Sequence, residues 1–199
     1  ENHPKVPEMG SRTLTFGRRL FVERSDFMEE PVKGFFRLAP GKEVRLKNAC
    51  IIRCDEVVKD EAGNVTELIC TADLESFSGM EGAARKVKGT LHWVEADSAI
   101  PAQVRLYDRL LLDEEPDDGD EEEAYGRDKG ADILNRVNPD SLRVLDTCYV
   151  EGSLPPVEPE WRCQFGRNGY FCLDRDSTPG RLVFNRTVSL KDSWAKVKK

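Results

Sequence analysis

Hydrophobic and polar positions along this chain alternate with the two-residue period of β-strands, and no sustained 3.6-residue helical pattern runs through it. Residues 42–72 read as a long hairpin: 43–59 is rich in Val, Ile and Cys, Asp60-Glu61-Ala62-Gly63-Asn64 is a turn cluster, and 65–71 returns. Short alternating segments at 12–16 and 19–23 precede it, separated by Gly17. A second hairpin-like region spans 89–95 and 103–112 with Pro101 between them, and 143–150, 162–165, 169–173 and 181–190 are strand candidates in the last third. Helix signals are confined to a single turn at 25–30 and a short helix at 128–137. Many short strands punctuated by Gly and Pro predict an all-β protein, and the length suits two consecutive small β-barrels better than one. The small, polar, Gly-rich stretch 76–83 divides them into a first barrel at 1–84 and a second at 85–199.

Composition supports a folded, water-soluble chain: 199 residues, 39% hydrophobic, 34% charged, mean hydropathy −0.56. No run of 18 apolar residues occurs, so no membrane-spanning helix is expected. The N-terminus, Glu1-Asn2-His3-Pro4-Lys5, has neither an initiator Met nor an apolar leader, and the chain reads as a cytoplasmic piece of something longer. Six cysteines in apolar or strand-like runs, with no Cys-x-x-Cys and only two histidines, predict reduced buried thiols and no zinc site. The net charge of −7 argues against a nucleic-acid partner at face value. Nine of the acidic residues, however, fall between Asp113 and Glu123, and without that stretch the rest of the chain carries +2. The stretch itself predicts a solvated, mobile loop in the second barrel, facing away from any RNA.

The chain has no glycine-rich phosphate loop, His-Glu-x-x-His or Gly-x-Ser-x-Gly. His92 is the one candidate histidine base, and its place in Leu91-His92-Trp93-Val94 favours a packed structural role. Residue chemistry alone therefore describes a non-enzymatic piece. Two clusters remain. Lys33, Arg37, Lys42, Arg45 and Lys47 surround Phe35 and Phe36, with strand parity placing Arg45 and Lys47 on one face. Arg162, Gln164, Phe165, Arg167, Tyr170 and Phe171 form the other. Single-stranded RNA is read by such sets, because unstacked bases lean on planar groups and offer their edges to Arg and Gln. An ordinary solvated strand face fits the pattern as well.

Several longer motifs lie along the chain: Pro7-Glu8-Met9-Gly10-Ser11-Arg12, Gly41-Lys42-Glu43-Val44-Arg45-Leu46, Val87-Lys88-Gly89-Thr90-Leu91-His92-Trp93-Val94 and Val104-Arg105-Leu106-Tyr107-Asp108-Arg109-Leu110. Asn138-Pro139-Asp140-Ser141-Leu142 and Gly169-Tyr170-Phe171-Cys172, followed by Val183-Phe184-Asn185-Arg186-Thr187-Val188, complete the set. In this order they resemble the C-terminal anticodon-binding region of glutaminyl-tRNA synthetases. The resemblance implies two β-barrels related to the ribosomal L25 fold, holding the anticodon loop of tRNA(Gln), with C-terminal strands that in some members return to the first barrel. It implies a monomeric class I parent whose catalytic Rossmann domain, using ATP and Mg²⁺, lies upstream; this piece holds no cofactor and does no catalysis. Lys33 and Arg37 match positions near the third anticodon base, Arg45 and Lys47 those at the first, and Gln164 with Arg167 the pair enclosing the middle uridine. Lys47 stands where the compared pattern has Arg, and Cys163 and Gly166 stand where it has Phe and Glu. Two other classes fit less of the sequence: an L25-like structural protein of ribosomal RNA leaves half the chain unexplained, and an autonomous enzyme lacks its motifs.

Overall fold

The computed structural model describes residues 1–3, 5–112, 133–154 and 158–190. The acidic stretch 113–123 and the start of the helix expected at 128–137 lie outside them; residues 133–135 form a single helical turn. The architecture is all-β, with short 3₁₀ turns the main other regular structure, including one at Arg24–Asp26 where a cap-like turn was expected. Among the described residues three sheets form, of two, four and five strands, and none closes on itself.

The described residues divide into two units. The first takes those from Glu1 to Ile100 and from Tyr149 to Leu154, and the second those from Pro101 to Cys148 and from Glu158 to Leu190. In the first, β1 (Leu20–Phe21) pairs with β6 (Val94–Glu95), while β2 (Glu43–Leu46), β3 (Ile51–Lys59), β4 (Val65–Asp73) and β5 (Thr90–Leu91) make a sheet ordered β4-β3-β2-β5. The β2–β5 pairing is parallel, Arg45 opposite Thr90, and so crosses the division drawn at residue 84. Val44, Leu46, Ile52, Cys54 and Leu91 fill the core beside Phe27, Leu38 and Trp93. Each such side chain contributes roughly 1.5–3 kcal/mol of burial.

The expected single strand over 43–59 is instead folded back at Lys47–Asn48. Asn48 adopts φ 60°, Leu46 N–H donates to the Cys50 carbonyl at 2.8 Å, and β2 and β3 pair antiparallel. A straight strand of that length would run about 55 Å, carrying Val44 and Ile52 away from any common core; the turn places them directly opposite. The Asp60–Asn64 turn forms as read, closed by Asp60 N–H to the Asn64 carbonyl at 2.9 Å and by Asn64 N–H to Asp60 Oδ1 at 2.8 Å.

The second unit is a five-stranded sheet built from β7 (Ile100–Tyr107), β8 (Leu142–Val150), β9 (Arg162–Phe165), β10 (Gly169–Leu173) and β11 (Leu182–Ser189), ordered β8-β7-β11-β10-β9. Pro101 does not break the chain as expected; it is the second residue of β7, where a missing N–H is tolerated. Phe171, Leu173, Val183 and Phe184 are buried, with Phe165 stacked on Phe171 at 4.4 Å and edge-on to Phe184 at 5.0 Å. All six cysteines are free thiols: Cys50 and Cys54 are buried and the other four half-buried.

Candidate nucleic-acid interface

Strand alternation buries Val44 and Leu46 and turns Glu43 and Arg45 outward, so sequence parity holds for β2. Arg45 is only half-exposed, because its guanidinium is engaged. Nη1 donates to the Ser76 carbonyl at 3.0 Å, and Nη2 to the carbonyls of Ala83 at 3.0 Å and Arg85 at 2.9 Å. It thereby ties the 76–85 loop to the sheet. Arg85, on the same loop, bonds Glu43 at 2.7 Å and Asp73 at 2.9 Å, and the hydrogen bond to Arg85 holds the Glu43 carboxyl below its ordinary range. Lys47 lies just past the end of β2. Its side chain is exposed while its carbonyl accepts from Trp93 Nε1 at 2.9 Å, which fixes the backbone beneath a solvated ammonium.

Lys33 and Arg37 share a loop but differ in the same way. Lys33 is exposed in a tight turn with Gly34 at φ 91°, closed by Phe35 N–H to the Val32 carbonyl at 3.0 Å. Arg37 Nη1 bonds the Ser25 carbonyl at 3.1 Å and lies 3.2 Å from Asp26 Oδ1, whose side chain is completely buried. Between them Phe36 is 54% exposed, with Lys88 Nζ 4.9 Å from its ring centroid.

In the second unit, Gln164 is exposed on β9 directly opposite Tyr170, itself 46% exposed on β10. Arg167 sits at φ 71° in the exposed turn joining the two strands. Gly169 follows at φ 153°, where a Cβ would collide with the Val188 carbonyl. On this unit's sheet a polar network that sequence reading missed links Asp146, Gln103, Arg105, Asp174, Asp176, Asn185 and Tyr107. Asp176 N–H and the Asn185 amide, with Arg105, hold the Asp174 carboxyl low. The alternation of Gln103, Arg105 and Tyr107 along β7 carried the signal for it.

His92 lies beside Glu151 in the first unit. Its Nε2 lies 3.7 Å from Glu151 Oε1, and Arg12 meets the same carboxylate with Nε at 2.6 Å and Nη2 at 2.9 Å. Burial raises the Glu151 carboxyl, but its pairing with His92 and Arg12 outweighs that and brings it to about 2.

Comparison with known proteins places the chain as a whole. The anticodon-binding domains of class I tRNA synthetases for glutamate and glutamine (E and Q) match this chain twice in series, at residues 1–73 and 90–174. The chain belongs to that family. It is 49% identical over 196 residues to the glutamine–tRNA ligase of Nitrobacter winogradskyi, covering 98% of this chain and 33% of that protein. It is 49% identical over 193 residues to that of Pseudomonas putida (96% and 32%), and 46% identical over 198 residues to that of Proteus mirabilis (100% and 34%). The chain spans about a third of the length of the curated relatives it matches.

Proposed function

We propose that this chain is the anticodon-reading region of a glutamine–tRNA ligase, holding the anticodon loop of tRNA(Gln) so that the parent joins glutamine to the correct tRNA at the expense of ATP. The observation that carries this reading is similarity to glutamine–tRNA ligases along nearly the whole chain. In this reading Lys33 and Arg37 serve the third anticodon base, Arg45 and Lys47 the first, and Gln164 with Arg167 the middle uridine. Gln offers a donor and an acceptor together to a uracil edge, and Lys supplies a point charge to phosphate. Arg37 also ties its loop to Ser25 and Asp26, and Arg45 also ties the 76–85 loop to the sheet beside Lys47.

ATP and Mg²⁺ belong to the remainder of the parent, a cytoplasmic monomer. Titrating the chain with the tRNA(Gln) anticodon stem-loop, and with a variant changed at the middle base, tests the proposal across salt concentrations. Preference for the unchanged loop, with affinity falling steeply as salt rises, is expected. Equal binding of both would sink it.

A further inference from the structure

We infer that Phe36 is a stacking platform for an unpaired base of bound RNA, with Lys88 beside it as the phosphate contact. The inference deepens the anticodon-loop reading and rests on it.

Phe36 is 54% exposed, yet everything around it is fixed. Phe35 before it is 8% exposed and Leu38 after it 1%, both packed inward. Arg37 is tied to the Ser25 carbonyl and to buried Asp26. The Phe36 carbonyl lies against Gly89, where any Cβ would collide with it, so the loop is seated on the residue that leads into β5. The ring is therefore held out in solvent by a braced backbone, and binding through it forfeits little conformational freedom.

The surroundings select the ligand. Lys88 Nζ stands 4.9 Å from the ring centroid, and Lys33, Lys42 and Lys86 are exposed nearby in sequence. Neither Lys33 nor Lys88 is ion-paired among the described residues. An exposed aromatic ring with cations at its border is the arrangement that binds single strands, bases stacking while ammonium groups track the phosphates. Val32 is the other large exposed apolar side chain of this loop, too small to turn the rim into an apolar docking face. A base sliding onto Phe36 displaces Lys88 from the ring, and its ammonium exchanges a solvent-exposed cation–π contact for a phosphate oxygen.

The test uses the full chain and the tRNA(Gln) anticodon stem-loop carrying 2-aminopurine at each loop position in turn. Wild type should quench the fluorophore at a position next to the third anticodon base. Phe36→Leu, which keeps apolar bulk without a π face, should abolish that quench and weaken binding about 10-fold. Phe36→Trp should bind at least as tightly as wild type, and Lys88→Gln should reduce the slope of log affinity against log salt by about 0.7. Unchanged affinity and quench in Phe36→Leu overturns the proposal. Should Phe36→Leu lower the urea midpoint, Phe36→Trp decides, and weaker binding by a folded Trp variant overturns it. A wild-type chain that binds no stem-loop at any salt overturns the anticodon reading itself; binding with an indifferent Phe36 overturns the platform alone.

Discussion

In sequence the loop carrying Lys33 to Lys47 and the hairpin carrying Gln164 and Arg167 are the same kind of object, cations and aromatics on strands. They are built differently. In the first, the arginines go inward: Arg37 to a buried carboxylate and Arg45 to three backbone carbonyls, while Lys33, Phe36 and Lys47 face water. In the second, Gln164 and Tyr170 face out as a direct cross-strand pair, and the aromatic pair Phe165 and Phe171 beneath them fixes the sheet. A guanidinium can thus be part of the floor under an exposed surface, whereas a cross-strand pair presents its own side chains with the ladder as floor.

The largest effect expected from this contrast is that of Arg37→Ala. Removing it leaves the wholly buried Asp26 without this ion pair, and breaking a buried pair costs about 3 kcal/mol or more; urea denaturation measures it. Arg45→Ala should cost on the order of 2 kcal/mol through its lost charge-assisted bonds to carbonyls, and Arg45→Lys should recover less than half of that. Protease cleavage within residues 76–85 should rise with the Ala variant.

A smaller effect is set by pH. The Glu151 carboxyl sits at about 2 in the folded chain and near 4.3 when unfolded. Its contribution, on the order of 2 kcal/mol, is complete above pH about 4.5 and is lost as pH falls toward 2. Stability measured across that window should flatten in Glu151→Gln. Smallest of all, Lys33→Ala and Lys47→Ala should change stability by less than about 0.5 kcal/mol, yet each should weaken stem-loop binding and its salt dependence. A stability loss in either that matches Arg37→Ala would erase the distinction between floor and surface.

The strands of the last third were legible almost residue for residue, since Arg162–Phe165 and Gly169–Leu173 alternate cleanly between turn residues. The fold-back at Asn48 was not, because Lys47-Asn48-Ala49 interrupts a run whose apolar periodicity continues on both sides. The extent of β7 is hidden for the opposite reason: Pro101 signals a break, but its place near the strand start removes the conflict. The clustering of cations and aromatics is legible in the sequence, but what each side chain engages is not. Arg45 and Lys47 look equivalent by parity, and only the position of the 76–85 carbonyls separates them. Lys88 beside Phe36 is equally invisible in sequence, since the two lie far apart along the chain.

The strand order of the second unit has a consequence for how the protein is made. β11 lies in the middle of its sheet, parallel to β7 on one side and antiparallel to β10 on the other, and is the last of the strands to leave the ribosome. The β3–β4 hairpin of the first unit can form from neighbours in sequence as soon as it emerges. The β7–β11 ladder must wait for a contact spanning some eighty residues, from Ala102 to Leu182. During that interval the edges of β7 and β10 that will pair with β11 have no partner. A nascent chain stalled before Leu182 should be a substrate for chaperones and proteases in its second half while its first half resists them.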